Sequence, residues 1–509
     1  MHFYRILLIL LFFMAQTHVQ SQVQHNPVSN NESLYRPRFH FTPAQGWMND
    51  PNGMIFLNGQ YHLFYQHYPD STVWGPMHWG HATSSDLVQW KQQSIALYPD
   101  SIGMIFSGSA VLDKNNTSGL GRGGIAPMVA IYTQHNMPGE KAARTDFQNQ
   151  SIAYSLDEGK TWTKYAGNPV LKTPNLKDFR DPKVIWHEPT QKWIMSLAVA
   201  DHVEFYSAPN LINWRKESEI GKNLFAHGGV WECPDLLSFN VNGKTVWVLL
   251  VSMNPGGPNG GSATQYIVGD FDGQVFKPFT KTIKWMDYGP DNYAGVSFSN
   301  LSDRKILIGW MSNWNYANVA PTEKWRSSMT VPRELSLVKQ EAYSKVNSST
   351  NSNINSNLLT NEFLLVSAPV KELKNAFAEI SSKENIIPNR IDLKDMKVID
   401  FEIILSNTFN EKLVIGYHAD KKQFYIDRTK AGISNFKQGF AAVAVAPRLS
   451  YTMNMDLSIL LDKTSIELFA DGGRTVMTAL FFPTFPYTKW EITSKEKMPS
   501  SHMKLYSFK

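Results

Sequence analysis

Ser155-Leu-Asp-Glu-Gly-Lys-Thr-Trp162 sets an Asp-type turn a few residues ahead of a tryptophan, and the same shape recurs at Ser85-Asp-Leu-Val-Gln-Trp90 and Pro209-Asn-Leu-Ile-Asn-Trp214. Asp or Asn bonds its own backbone two residues on and so shapes the turn, while Trp offers a large face to a neighbouring sheet. A turn-plus-Trp hairpin repeated along a chain points to propeller blades. Around the copies, from about Phe39 to Leu337, short β-rich runs such as Tyr61-His-Leu-Phe-Tyr65 and Val246-Trp-Val-Leu-Leu-Val251 are broken by Gly, Pro, Asn and Asp clusters. No long helical period interrupts them.

Outward from this region the composition changes twice. Residues 1–21 read as an export signal, with Arg5 near the start, an apolar core from Ile6 to Ala15 and small residues before Gln22. Residues 341–357 turn to Ser, Asn, Lys and Thr, including Asn347-Ser-Ser-Thr-Asn-Ser-Asn-Ile-Asn-Ser-Asn357, a polar stretch without core residues that reads as a linker or loop. Beyond it, Val398-Ile-Asp-Phe-Glu-Ile-Ile-Leu405 and a hairpin from Ser465 to Phe482 around Asp471-Gly-Gly473 read as strands of a second all-β domain, a sandwich. The expected division is a signal over 1–21, a propeller over 36–340, a linker over 341–357 and a sandwich over 358–509, with one short helix within Val370 to Lys383.

The 509 residues are 42% hydrophobic and 18% charged, a globular composition that excludes disordered, collagenous and coiled-coil proteins. Lys and Arg exceed Asp and Glu by 49 to 44, without a basic run, so no nucleic-acid partner is expected. No stretch after the leader approaches the roughly 20 apolar residues of a membrane helix, so no membrane span is expected. The sole cysteine, Cys233, rules out an internal disulfide, a Cys-based zinc cage and a lipid-bearing cysteine at the leader. The expected location is periplasmic or extracellular. His78 and His81 have metal-like spacing without further ligands in a recognisable pattern, so they are read as structural; no metal and no cofactor are expected.

Three acids stand in unusual company: Asp50 in Trp47-Met-Asn-Asp-Pro-Asn-Gly53, Asp181 in Phe179-Arg-Asp-Pro182 and Glu232 in Trp231-Glu-Cys-Pro-Asp235. A proline near each acid limits backbone freedom, so a carboxylate can be held where a strand opens into a cleft. Glycosidic bond cleavage needs such carboxylates, one ionised and one protonated at the same pH.

In chain order, W-M-N-D-P-N-G, F-Y-Q at Phe64 to Gln66, W-G-P at Trp74 to Pro76, F-S-G-S at Phe106 to Ser109, R-D-P and W-E-C-P-D resemble the motifs of glycoside hydrolase family 32, the β-fructofuranosidases. The likeness continues through Gly309-Trp-Met-Ser-Asn-Trp314, Pro332-Arg-Glu-Leu335 and Glu467-Leu-Phe-Ala-Asp-Gly-Gly473. It implies a five-bladed β-propeller joined to a β-sandwich. It implies Asp50 as nucleophile, Glu232 as acid/base and Asp181 as transition-state stabiliser in a retaining reaction on terminal fructofuranosyl units of fructans or sucrose. Asn49, Gln66, Ser107 and Arg180 would bond sugar hydroxyls, and Phe106, Trp47, Trp74 and Trp310 would wall the site. Arg180 is also expected to keep Asp181 ionised, and Asp235 and Asp291 are further candidates for the pocket lining. Trp79, Trp231, Trp314 and Cys233 are read as packing residues.

Alternatives share or abandon this chemistry. Endo-acting cleavage, or transfer of fructose to a sugar, would use the same intermediate; intact Asn49 and Trp74 favour hydrolysis. A sialidase would carry more complete copies of the turn motif and an arginine cluster. A glycan-binding protein without catalysis would have lost Asp50 or Glu232.

Overall fold

The computed structural model describes residues 34–174, 176–339, 362–381, 386–496 and 502–509. The expected leader and the polar linker therefore lie outside the described residues. Almost all regular structure is β, as the short, turn-bounded runs predict.

Five sheets, mostly antiparallel, follow one another, each entered by an inner strand: Gly46–Leu57, Met104–Leu112, Phe179–His187, Val230–Val241 and Tyr293–Ser297. Each inner strand touches the next and the fifth touches the first, so the sheets stand as blades around one axis. Parallel pairing of Trp325–Arg326 with Gly46 and Trp47, and a bridge from Ile55 to Ser299, join the two ends of the ring.

The repeated turn explains how the blades are finished. Asp86, Asp157 and Asn210 each accept hydrogen bonds from backbone N–H groups two to four residues on, and Trp90, Trp162 and Trp214 each donate an indole N–H back to the turn. The residue after each turn acid or amide, Leu87, Glu158 and Leu211, has φ of 65°, 62° and 64°. A fourth copy, Asp272-Gly-Gln-Val-Phe276, does the same with Gly273 at φ 94° and Phe in place of Trp. The exchange of Trp for Phe hid it from the sequence pattern.

Two sheets of six and five strands form the sandwich, packed around Leu393, Ile403, Ile415, Ile459 and Leu468. The expected boundary at 358 is corrected: Phe363–Pro369 pairs with Arg333–Lys339 as the outer strand of the fifth blade. The expected helix between Val370 and Lys383 is a short 3-10 helix, Lys371–Ala376, running into the strand Phe377–Ile380.

Propeller and sandwich are joined by buried charge. Arg333, fully buried, bonds Asp287 at 2.8 Å and also reaches Glu467 and Thr478 of the sandwich hairpin. His40 lies 2.8 Å from both Asp462 and Glu467. The motifs Pro332-Arg-Glu-Leu335 and Glu467-Leu-Phe-Ala-Asp471 thus meet across the domain boundary.

Candidate active site

Every inner strand departs from regular pairing near its first turn of chain. Register shifts enclose Asn49 and Asp50, Phe106 and Ser107, Asp181 and Pro182, Cys233 and Pro234, and Ala294 and Gly295. Proline cannot donate to a ladder, so Pro51, Pro182 and Pro234 interrupt pairing beside the acids, and a bulge re-aims the side chain it carries. In the second blade the same place holds Gly108, where a Cβ would lie 2.1 Å from the Ile131 carbonyl oxygen. Asp181 and Cys233 sit at φ 64° and 46°, a conformation side chains rarely adopt. The bulges of the first three inner strands, and the edge of the fourth at Glu232, bring their residues to one place.

That place is a cavity of about 260 Å³ lined by Asn49, Asp50, Gln66, Trp74, Phe106, Ser107, Arg180, Asp181 and Glu232, together with His135, Glu140, Gln148, Asp178 and Trp314. Asp50 is held on both oxygens: Asn49 donates to Oδ1 at 3.0 Å and Ser107 to Oδ2 at 2.7 Å. Trp47 does not line the cavity; buried, it donates its indole N–H to Asn49 at 2.7 Å and fixes the amide that faces Asp50. Gln66 Nε2 is buried and makes no hydrogen bond among the described residues, leaving a donor at the cavity wall. Phe106 stacks on His135 at 4.3 Å and meets the edge of Trp74 at 6.0 Å.

Arg180 corrects one expectation. Its guanidinium forks onto Glu232 Oε1 at 3.1 and 2.9 Å and reaches Asp178 at 2.6 Å, while Asp181 is bonded instead by the Cys233 N–H at 3.0 Å. Tyr293 donates its hydroxyl to the other oxygen of Glu232, so both oxygens of that carboxylate are positioned. Burial, reinforced by the charge of Glu232, pushes Asp50 up to about 6. Burial also pushes Asp181 up to about 7, against the lowering effect of Arg180. Burial beside three acids pushes the Cys233 thiol well above its ordinary range, so it stays a protonated donor, 3.6 Å from both Asp50 and Asp181. It is more than packing, yet no nucleophile.

Besides Trp47, three further expected contacts lie elsewhere. Trp310 is fully buried behind Trp314, with ring centroids 4.9 Å apart, and it is Trp314 that reaches the cavity. Asp291 is turned to the domain boundary, where it bonds Arg428 at 2.8 Å and the Tyr316 hydroxyl at 2.5 Å. Asp235 faces the propeller axis deeper in, accepting from Ser297 N at 2.6 Å with Lys183 at 3.2 Å. His81 pairs with His62 at 3.1 Å and His78 with the Pro76 carbonyl at 2.9 Å, both hydrogen-bonding roles. A larger cavity of about 440 Å³ is lined by later residues of the same inner strands, among them Lys183, Trp186 and Leu236. It lacks the three convergent carboxylates, and the smaller cavity is the better candidate for chemistry.

Residues 40–347 match the family described as "Glycosyl hydrolases family 32 N-terminal domain" and residues 335–507 match "Glycosyl hydrolases family 32 C terminal". The chain is 42% identical to the levanase of Bacillus subtilis (strain 168), over 88% of this chain and 66% of that protein, so it spans about two thirds of that relative's length. It is 40% identical to an extracellular exo-inulinase of Aspergillus niger, over 89% of this chain and 91% of that protein. Among solved structures, the exo-inulinase from Aspergillus awamori superposes with a TM-score of 0.81 at 35% identity, covering 93% of this chain and 98% of that one.

Proposed function

The chain belongs to glycoside hydrolase family 32, and on that premise we propose that it is a retaining β-fructofuranosidase that removes terminal fructofuranosyl units from fructans of the levan or inulin type. The observation that carries the reading is the convergence of Asp50, Asp181 and Glu232 on one cavity, each from a bulge or its edge on a different blade.

In this mechanism Asp50 attacks the anomeric C2 and the C2–O bond to the leaving sugar breaks, while Glu232 gives its proton to the departing oxygen. Water then attacks C2, Glu232 takes its proton, and Asp50 is released with net retention. Asp181 accepts bonds from ring hydroxyls that tighten as the ring gains oxocarbenium character. Asp50 and Asp181 are buried and Glu232 is half-buried beside the one guanidinium of Arg180, so the three cannot all ionise cheaply and the proton the first step needs is held within the cluster. Having given up its proton in the first step, Glu232 acts as the base in the second.

An exo mode follows from the size of the cavity. At about 260 Å³ it falls below the roughly 300–1,000 Å³ of pockets that take drug-sized ligands, and suits one sugar ring at a chain end. Action outside the cytoplasm is supported by the apolar stretch at the start of the chain and by the extracellular exo-inulinases among its relatives. Among the described residues no helix is long and apolar enough to cross a membrane.

The test is product analysis on inulin, levan and sucrose with Glu232→Gln as control. Fructose alone from a polymer supports the reading and ranks the linkages. Early oligosaccharides would replace it with endo cleavage, and folded enzyme inert on all three would end it.

A further inference from the structure

On the outer strands of the third blade, far along the sheet from the inner strand of Asp181, three potential ligands share one face. His202 and Glu204 are two residues apart on His202–Ala208, and Glu219 of Arg215–Ile220 is the cross-strand partner of Glu204. Strand alternation therefore puts all three side chains on the same side. His202 is 6% exposed, and neither ring nitrogen makes a hydrogen bond among the described residues. A buried imidazole that makes no hydrogen bond, with only carboxylates at longer range, carries a desolvation cost that a ligand would relieve.

Its Nε2 faces Glu204 Oε1 at 3.5 Å and Glu219 Oε2 at 3.8 Å. Those spacings are long for hydrogen bonds. They are close to the edge of a tetrahedron with metal–ligand bonds of about 2.0–2.2 Å, which is roughly 3.3–3.6 Å. One ligand atom from each residue lies within 4.8 Å of the others. Behind the ring, Nδ1 points toward the Asp201 carboxylate at 3.7 Å, the outer partner that a metal-bound imidazole commonly has. Glu204 Oε2 is tied by the Tyr206 hydroxyl at 2.5 Å and Glu219 Oε1 by Lys222 at 2.5 Å, so one oxygen of each acid is oriented and the other, Glu204 Oε1 or Glu219 Oε2, is shared between the site and Lys216.

A single cation stands in competition. Lys216 Nζ bonds Glu204 Oε1 and lies 2.9 Å from Glu219 Oε2, on a side chain 44% exposed that can swing to solvent. We propose that His202, Glu204 and Glu219 form a divalent-cation site of the zinc type, occupied in alternation by the metal and by the Lys216 ammonium. One imidazole with two carboxylates is a borderline-soft donor set that suits zinc above magnesium or calcium. The metal would tie together the two outer strands of the blade, next to the loop that leads from Ile220 to Trp231 and Glu232.

Isothermal titration of the full mature chain with zinc chloride tests this, in the wild type, His202→Gln, Glu219→Gln and Lys216→Gln, each checked for folding by fructose release. The expected result is one saturable site in the wild type, weakened at least tenfold by His202→Gln and by Glu219→Gln, and tightened several-fold by Lys216→Gln. Glu219 is exposed, so its variant reports even where His202→Gln does not fold. Absence of a one-to-one site in the wild type, or equal affinity in the His202 and Glu219 variants, overturns the site. Unchanged affinity in Lys216→Gln overturns the alternation.

Discussion

At the cavity three acids, Asp50, Asp181 and Glu232, share one guanidinium, Arg180, whereas at the domain boundary three acids, Asp287, Asp462 and Glu467, share two cations, Arg333 and His40. The three boundary acids are buried, as are Asp50 and Asp181 at the cavity, and burial alone pushes any carboxyl up. At the boundary His40 and Arg333 overcome it: against the cost of burial, His40 holds Asp462, and Arg333 with His40 holds Glu467, below the usual carboxylate range. At the cavity burial wins, and Asp50 and Asp181 are raised to about 6 and about 7. Two cations for three acids make a joint whose carboxylates stay ionised; one cation for three makes a site whose protons move within the working range of pH.

The sharpest break of the comparison is to neutralise one acid on each side. Asp50→Asn should lower kcat on levan or inulin by at least about 10³-fold, since the nucleophile is lost. Its urea midpoint should hold or rise, because an uncompensated buried charge is removed. A clear fall in stability would mean that the cavity cluster is also structural. Arg333→Met does the converse. It leaves Glu467 and Asp287 buried without their cation, at a cost of about 3–5 kcal/mol, read as a lower urea midpoint. Turnover per folded molecule should stay within about twofold of wild type. A loss of kcat in the folded fraction would show that the boundary reaches the site.

How much of this contrast the sequence carries depends on where the partners sit in the chain. The acids of Trp47–Gly53, Phe179–Pro182 and Trp231–Asp235 were legible because proline flanks them and proline leaves a mark in sequence. That proline interrupts the ladder was legible too, but the side to which each bulge turns its acid was not. The same limit misplaced Trp310 and Trp314: both belong to one motif, and only the geometry after Met311 decides which ring faces the cavity. Asp291 looked like a pocket residue because its partner Arg428 is 137 positions away. Tyr293, His135 and Gln148 escaped for a related reason. They come from three strands, carry no local signature, and are tied to the site by contacts with Glu232, Phe106 and Arg180. The fold was easier to read because its unit repeats, and its fourth copy was lost only where Phe276 replaced Trp.

A smaller effect separates the clusters by pH. Although burial opposes it, the two carboxylates raise His40 from 6.5 to about 9. A raised histidine stabilises fully below its unfolded value near 6.5 and loses that contribution as pH climbs through about 9. Urea midpoints of the wild type should therefore decline between pH 6.5 and 9, by the equivalent of roughly 2 kcal/mol. His40→Gln should be less stable at pH 6 and show a flatter profile over that window. Parallel profiles for the two proteins would remove His40 from the account.

The smallest effect falls on the cavity side and asks whether Asp50 sets the acid limb of the rate. Asp50 must be ionised to attack, so kcat/KM should rise as pH increases through the region near 6. Ser107 donates to Asp50 Oδ2 at 2.7 Å, a bond made to the charged form, which holds the carboxyl lower than burial alone would leave it. Ser107→Ala should then move the acid limb to higher pH, by less than about one unit. Ser109→Ala is the matched control, because that hydroxyl, two residues along the same strand, bonds the Pro182 carbonyl at 2.9 Å and not a carboxylate. An acid limb that moves in Ser107→Ala and stays in Ser109→Ala assigns it to Asp50. A limb that stays in both belongs to another member of the cluster, and the unequal balance of charge at the cavity would then act through Asp181 instead.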